Sequence, residues 1–191
     1  MKPKYSIRAA LIAAGVAVAA PLAIAPVYAE MTVTVGGAPM YPSKNIVENA
    51  VNSKDHTTLV AAVKAAGLVD TLEGAGPFTV FAPTNEAFAK LPKGTVETLL
   101  KPENKDKLTA VLTYHVIPGR YTAADLAGKI DEAGGKLMLK TVQGEDLTFE
   151  RSGRSHLTVT DAKGDKARIT IADVLQSNGV IHVINKVLIP G

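Results

Sequence analysis

The stretch Phe78–Phe88, FTVFAPTNEAF, predicts a buried strand, a tight turn and a capped helix in close succession. Its first four residues are aromatic or β-branched, and such side chains favour a packed, pleated sheet. Pro83 has no N–H to donate to a neighbouring strand, so the strand should end there. Thr84 or Asn85 can then cap the free N–H groups of a helix that stops before Pro92. We expect the rest of the chain to pack around this strand and helix.

Along the chain, helical patterns come first and short strand patterns follow. Apolar residues recur at helical spacing between Leu59 and Leu68, with Asp55 as a candidate cap and Gly67 as a candidate stop. Strands are expected at Tyr114–Ile117 and at residues 137–142, 147–150, 157–160, 167–174 and 180–189. Turn residues at 143–144, 152–153 and 163–164 favour hairpins between the later strands. This order predicts an α+β domain with a largely antiparallel sheet.

Three motifs resemble those of the fasciclin-like (FAS1) domain family. FTVFAPTNEAF is similar to the family's first signature box, and NGVIHVINKVLIP at Asn178–Pro190 is similar to its second. Tyr114-His115, within LTYHVIPG, resembles the family's Tyr-His motif. The motifs occur in the expected order over residues 45–190. The resemblance implies a wedge-shaped β-sandwich with a helical layer, in a single-domain, bacterial-type secreted protein.

The amino terminus has the layout of a secretory signal peptide, with basic residues followed by an uncharged apolar run at residues 9–29. A cleavage site after Ala29 divides the chain into a signal peptide (1–29), an N-terminal arm (30–44) and a fasciclin-like domain (45–191). An uncleaved anchor is the alternative, because a membrane span needs roughly 20 apolar residues. Two prolines interrupt the run and favour cleavage. The prediction is a secreted or periplasmic protein without stable membrane insertion after cleavage.

The formal charge of +3 comes from the predicted signal peptide. Removing Lys2, Lys4 and Arg8 lowers Lys+Arg from 21 to 18, which equals the 18 Asp+Glu of the chain. A near-neutral surface with few aromatic residues argues against nucleic-acid binding, which needs a basic stripe with stacking side chains. The sequence contains no cysteine, so disulfides and thiolate metal sites are excluded.

The sequence contains no recognisable catalytic or metal-binding motif. Its four histidines do not pair at a metal-binding spacing, and no phosphate-binding or dinucleotide-binding pattern occurs. The serines lack the Gly-x-Ser-x-Gly pattern of hydrolases. We therefore expect a non-enzymatic protein without a cofactor or metal. A hydrolase site assembled from dispersed residues, with Asp173 or His182 taking part, is the enzymatic alternative.

Tyr114 and His115 form the first candidate partner-binding site. In animal members of the family, the stretch around the Tyr-His motif has been implicated in integrin binding, and the resemblance carries that role to these two residues. Their expected position in a strand would place them on opposite faces of the sheet. The neighbouring Val116 and Ile117 look like core positions, so the residues themselves favour an internal packing role for Tyr114 and His115.

Asp173, Val174 and Leu175 form the second candidate site. An Asp followed by two aliphatic residues, just before the second box, is an adhesion motif of animal members, although the preceding Ile171-Ala172 departs from their pattern. The alternative for Asp173 is a local backbone cap. Lys163-Gly164-Asp165 also spells an integrin-recognised tripeptide, but it lies where a two-residue hairpin turn is expected.

Two residues near the carboxyl terminus are expected to have structural roles. His182 lies in a strand that is apolar on both faces, which favours a buried, hydrogen-bonded ring over a ligand-binding one. Gly179 follows Asn178 in a predicted turn, where a positive φ is expected.

These observations lead to a non-enzymatic adhesion or interaction module that binds a protein or glycan at a cell surface or in an extracellular matrix. The resemblance carries that function. The alternative is a periplasmic protein that binds a small molecule or lipid in a cleft beside the first signature box. Phe78, Phe81 and Phe88 are the candidate lining residues, although an ordinary core would also use them.

Overall fold

The computed structural model describes residues 32–153 and 156–191, and within these ranges the chain forms nine strands and seven α-helices. The predicted signal peptide lies outside the described residues. The strands are β1 (Val33–Val35), β2 (Ala38–Met40), β3 (Phe78–Pro83), β4 (Val116–Pro118), β5 (Lys136–Lys140), β6 (Asp146–Ser152), β7 (His156–Thr160), β8 (Lys166–Gln176) and β9 (Gly179–Ile184). The first two form a small hairpin within the predicted N-terminal arm, and the others form one sheet.

The large sheet has the strand order β4-β3-β9-β8-β7-β6-β5. Strands β3 and β9 are parallel, and all the other neighbouring pairs are antiparallel. The two outer strands approach each other, because the N–H of Val142, just after β5, donates to the carbonyl of Val116 in β4 at 2.8 Å. The sheet therefore wraps nearly into a barrel. This arrangement confirms the predicted α+β class and the largely antiparallel pairing.

The helices are α1 (Ile46–Ala50), α2 (Thr57–Ala66), α3 (Val69–Glu73), α4 (Asn85–Ala89), α5 (Thr95–Leu99), α6 (Lys105–Tyr114) and α7 (Ala123–Glu132). Thr84 caps α4 through its side-chain oxygen, as predicted, and Thr122 caps α7 in the same way. Gly67 ends α2 in the left-handed conformation, with a φ of 72°. Asp55 does not cap α2, because it lies inside a 3₁₀ turn that precedes the helix. None of the described helices is long and apolar enough to cross a membrane.

Strand β3 contributes to two apolar clusters on opposite sides of the sheet. Val80 belongs to the cluster beneath helices α1–α6, and the next residue, Phe81, belongs to the cluster beneath α7. Successive side chains of a strand point to opposite faces, so one short strand serves both clusters. Phe81 is fully buried, and its ring centroid lies 5.2 Å from that of Phe149 and 5.5 Å from that of His182. The predicted core position of β3 is confirmed.

The predicted strand at Tyr114–Ile117 is wrong in its first half. Tyr114 is the last residue of α6, His115 is the C-cap of that helix, and β4 begins only at Val116. The alternation argument therefore does not apply to Tyr114 and His115. Helix α6 extends this far because Val111, Leu112 and Tyr114 keep its buried face in contact with the sheet.

Two turns near the carboxyl terminus also differ from expectation. The loop that contains Lys163-Gly164-Asp165 runs from Asp161 to Asp165, and the N–H of Asp161 closes it by donating to the carbonyl of Asp165 at 3.0 Å. It is therefore longer than the two-residue turn that was expected. Gly179 has no positive φ. A Cβ at Gly179 would instead overlap the carbonyl oxygen of Phe78, so the glycine is needed for close strand approach.

Replacement of Phe81 by Ala tests the core position. We expect the free energy of unfolding to fall by about 3 to 5 kcal/mol, because the change removes a ring that is buried on all sides and leaves a cavity. Urea denaturation of both proteins measures the difference. An unchanged midpoint would contradict the placement of Phe81 in the core.

Gly179→Ala and Gly128→Ala form a matched pair that tests the close approach of β9 to β3. The first should lower the free energy of unfolding by about 1 to 3 kcal/mol, since the added methyl group overlaps the backbone of Phe78. The second should raise it by up to about 1 kcal/mol, because Gly128 lies in α7 with open space around the added Cβ. Thermal or urea denaturation that gave both variants the same sign would refute this explanation.

Candidate functional site

The Tyr114 side chain is fully buried at the end of α6. Its hydroxyl donates to the carbonyl of Asp146 at 3.2 Å and accepts from the N–H of Ala162 at 2.9 Å. Burial raises the pKa of this hydroxyl, so it stays protonated and able to donate. Tyr114 therefore connects α6 to the first residue of β6 and to the segment just after β7.

His115 is buried beside Tyr114 and connects α6 to the carboxyl-terminal segment. Its Nε2 accepts from the N–H of Leu188 at 3.0 Å, which leaves the ring proton on Nδ1 to donate to the carbonyl of Val111 at 2.8 Å. Burial lowers the pKa of His115 to about 4, and the carbonyl of Val111 acts in the opposite direction. The ring is therefore neutral at neutral pH, and both of its nitrogens are occupied by the protein.

Asp173 forms a bulge in β8 and has a φ of 58°, in the left-handed region. Its carboxylate accepts from the N–H of Ala123 at the start of α7 at 2.7 Å, so it acts as a backbone cap. Its own N–H donates to Nδ1 of His182 at 3.3 Å, and Nε2 of that ring donates to the carbonyl of Tyr121 at 2.8 Å. Burial lowers the pKa of His182. His182 is thus the buried, backbone-bonded histidine that was expected.

Leu175 is the exposed member of the second candidate site. Val174 is buried, whereas 39% of the Leu175 surface is exposed just before the turn between β8 and β9. Arg120 lies beside this turn, and its guanidinium donates to the carbonyls of Gln176 at 3.0 Å and Ser177 at 3.4 Å. We call the surface formed by Arg120, Leu175 and Ser177 the β8–β9 corner. Its backbone also meets the N-terminal arm, because the N–H of Ser177 donates to the carbonyl of Lys44 at 2.9 Å.

The two candidate sites are not one continuous surface. Tyr114 and His115 have buried side chains, and the β8–β9 corner is reached from them only along β4, which leads from His115 to the loop holding Arg120. Sequence reasoning missed Arg120 because its carbonyl partners lie more than fifty positions later in the chain. Its place directly after Pro118-Gly119, in a loop, was the signal that could have suggested it.

A third candidate site is a cavity of about 90 Å³ between helices α1–α3 and strand β3. We call it the helical cavity, and its walls include Ile46, Leu59, Leu72, Phe78, Val80 and Phe81. Of the three predicted lining residues, Phe78 lies on the same face of β3 as Val80. Phe81 adjoins the cavity, but its ring packs in the cluster beneath α7, and Phe88 is buried elsewhere in the cluster that contains Val80. Two lining residues, Ser53 and His56, were not singled out from the sequence because no motif surrounds them.

The described residues provide no arrangement suited to metal binding, since no group of three or more His, Asp or Glu side chains comes together in residues 32–153 and 156–191. Asp173 and His182, named in the hydrolase alternative, do contact each other. They do so through the backbone N–H of Asp173, while its carboxylate caps α7. This geometry stabilises a bulge and does not activate a nucleophile.

A nearly closed mixed sheet with helices packed on its faces is the architecture of the FAS1 fold. The solved FAS1 domain pair from the insect cell adhesion molecule Fasciclin I superimposes with a TM-score of 0.69 at 20% identity, covering 78% of this chain and 51% of that one. The fasciclin domain model matches residues 54–190. The chain belongs to the fasciclin domain family.

Two relatives match most of the chain. Protein sll1483 of Synechocystis sp. is 49% identical over 163 residues, which cover 84% of this chain and 82% of that protein. Immunogenic protein MPB70 of Mycobacterium bovis is 32% identical over 209 aligned positions, which cover 100% of this chain and 99% of that protein. The similarity to MPB70 extends beyond the fasciclin domain on the amino-terminal side.

The three buried histidines predict that acid destabilises the fold. Burial lowers the pKa of His56, His115 and His182 in the folded protein. Between about pH 6.5 and these lower pKa values, the unfolded chain therefore binds protons that the folded protein does not. The stabilisation is complete above about pH 6.5 and is lost as the pH falls. His115 alone has a folded pKa of about 4, so its contribution should lower the free energy of unfolding by about 2 kcal/mol between about pH 7.5 and about pH 5.

Urea denaturation at the two pH values measures this effect. His115→Gln should show a shallower loss of stability on acidification, because one of the three buried rings is gone. His156→Gln is the matched control, since His156 is exposed and all three buried rings remain in that variant. A wild-type stability that does not change over this pH range would contradict the prediction.

Proposed function

We propose that this protein is an exported, non-enzymatic interaction module that binds a protein or glycan at a cell surface or in an extracellular matrix. Membership of the fasciclin family supports this role, and the solved FAS1 pair comes from a cell adhesion molecule. The basic and apolar amino-terminal pattern supports export to the periplasm or the exterior. The histidines named at the candidate site bind backbone groups of the protein itself, which supports a structural use of these rings over a catalytic one.

The β8–β9 corner is the proposed contact surface, and the exposure of Leu175 is the observation that carries it. An apolar side chain that stands out beside a positioned arginine matches protein contact sites, where apolar area is buried at the centre and Arg is enriched. The guanidinium of Arg120 is already oriented by two carbonyls. A partner would therefore meet a preformed surface, with little side-chain ordering left to do on binding.

Tyr114, His115, Asp173 and Val174 are proposed to act as positioning residues for this corner. Tyr114 and His115 fix the end of α6, from which β4 leads to the loop with Arg120. Asp173 sets the bulge that precedes Val174, and Val174 packs inward. In this proposal the partner touches Leu175 and Arg120, whereas the other four residues hold the surface in shape.

Leu175→Asp tests the contact surface directly. Attachment of cells of the source species to the immobilised protein should weaken about tenfold, because the charge must be desolvated where an apolar anchor was buried. Met138→Asp is the matched control, since Met138 is 60% exposed on the outer strand β5. It should attach cells as the wild type does.

Circular dichroism and urea denaturation must first show that both variants are folded. Equal attachment by Leu175→Asp and wild type would overturn the proposed surface while leaving an adhesion role open at another face. A wild-type protein that attaches no cells, at low or moderate salt, would overturn the adhesion role itself.

A further inference from the structure

The helical cavity has one polar group that the fold leaves unused. Its polar lining residues include Ser53, His56, Thr113 and His115. The Thr113 hydroxyl donates to the carbonyls of Thr109 at 2.7 Å and Ala110 at 3.2 Å, and both nitrogens of His115 have partners. Nε2 of His56, by contrast, is buried and has no hydrogen-bond partner among the described residues.

The neighbours of His56 determine which nitrogen carries its proton. Nδ1 lies 2.8 Å from the hydroxyl oxygen of Ser53, and that hydroxyl has no other partner among the contacts of the described chain. The Ser53 hydroxyl can therefore donate a hydrogen bond only to Nδ1, which must then act as the acceptor. A neutral imidazole carries a single proton, so that proton lies on Nε2. Burial lowers the pKa of His56, so the ring is neutral at neutral pH. Nε2 is therefore an N–H donor in apolar surroundings.

Two features of the fold hold this donor in place. The turn of the β1–β2 hairpin packs so closely on Ser53 that a side chain at Gly36 would overlap the Ser53 hydroxyl. The N–H of Lys54 also donates to the carbonyl of Gly36 at 3.2 Å. On the other side, the carbonyl of Ala82 in β3 lies close enough to the ring to raise the pKa of His56 against the effect of burial, but it does not meet Nε2 in hydrogen-bonding geometry. An N–H left without an acceptor costs free energy, which a ligand acceptor would recover.

We propose that the helical cavity binds a small apolar molecule that carries one oxygen acceptor, such as a ketone or ester carbonyl, and that this oxygen accepts a hydrogen bond from Nε2 of His56. Apolar walls with a single polar group favour such a ligand, because the walls bind the hydrocarbon part and the lone donor orients it. A volume of about 90 Å³ suits a small ring or a short chain end. This proposal goes beyond adhesion and does not depend on it.

The cavity is open to solvent, so a ligand can enter. Lys64 and Thr71 belong to its lining and are exposed, and 46% of the surface of Val142, a third lining residue, is exposed. The exposed rim also leaves room for the remainder of a longer molecule to extend outward. An acid or a cation would gain nothing at the inner end, since a charge there would be desolvated beside a neutral ring.

Cyclopentanone and cyclopentane are suitable probes, because they differ by the carbonyl oxygen while having similar ring size. Each is titrated into the purified protein, and amide shifts in two-dimensional NMR spectra report the affinity and the location. Both should shift residues that line the helical cavity. Cyclopentanone should bind about fivefold to tenfold more tightly, which is the value of one neutral hydrogen bond.

Two variants separate the contribution of the His56 N–H from that of the cavity volume. His56→Phe keeps a ring but removes the N–H, so it should bring the two probes to equal affinity. Val60→Phe fills the cavity from its half-buried wall and should abolish binding of both. Val51→Phe is its matched control, because Val51 is 48% exposed and does not line the cavity. It should bind both probes as the wild type does.

Several outcomes would overturn the proposal. Equal affinity of the two probes for wild type would show that His56 gives no selectivity, and a ketone preference that persists in His56→Phe would place the donor elsewhere. Shifts confined to residues outside the cavity, or no shifts with either probe, would show that neither probe binds in the cavity. If His56→Phe does not fold, the Nε2 proton resonance of His56 in the wild-type protein decides the question, since it should shift with cyclopentanone and not with cyclopentane.

Discussion

The parallel pairing of β3 with β9 brings the two signature boxes side by side at the centre of the sheet, in the register Phe78↔Gly179 to Pro83↔Ile184. A parallel pair cannot be closed by a hairpin, so its connection must cross from one end of the sheet to the other. Here that connection consists of α4–α7 and β4–β8, which is most of the domain. The pairing itself depends on the absence of a side chain at Gly179, where the Phe78 backbone passes. One glycine thus controls the approach of two strands that the rest of the fold surrounds.

Two of the three buried imidazoles connect segments that are distant in sequence. His115 joins the end of α6 to Leu188, and His182 joins the bulge of β8 to Tyr121, so each ring spans two elements with its two nitrogens. A neutral imidazole suits this task because it is at once a donor and an acceptor. His56 differs from the other two in that only one of its nitrogens is used by the protein. Both ring nitrogens are therefore hydrogen-bonded in two of the buried histidines, whereas one nitrogen of the third, beside the cavity, has no partner.

The sequence predicted correctly those elements that are determined by residues close together in the chain. The residue types of β3, the cap at Thr84 and the stop at Gly67 act through their own backbone neighbours, and all three are confirmed. The boundary at Tyr114 was wrong because a short apolar run such as TYHVI is compatible with a helix or a strand, and packing against the sheet decided between them. The role of Gly179 also depends on a strand that begins about a hundred residues earlier. The helical cavity was anticipated only through Phe78 and Phe81, since Ser53 and His56 acquire meaning from the hairpin turn at Gly36.

The bulge at Asp173 determines how β8 contributes to both proposed sites. Side chains alternate along a strand, so a shift of one residue would exchange the inward and outward positions of everything that follows. The register of β8 against β9 shifts between Ile171 and Val174, and after that shift Val174 lines the helical cavity while Leu175 faces solvent. The left-handed conformation that makes the shift possible is stabilised by hydrogen bonds from Asp173 to His182 and from Ala123 to the Asp173 carboxylate. The register also shifts once earlier, between Ile169 and Ile171. If that shift were kept and the bulge at Asp173 removed, Leu175 would turn inward, so the cavity wall and the exposed corner both depend on the bulge.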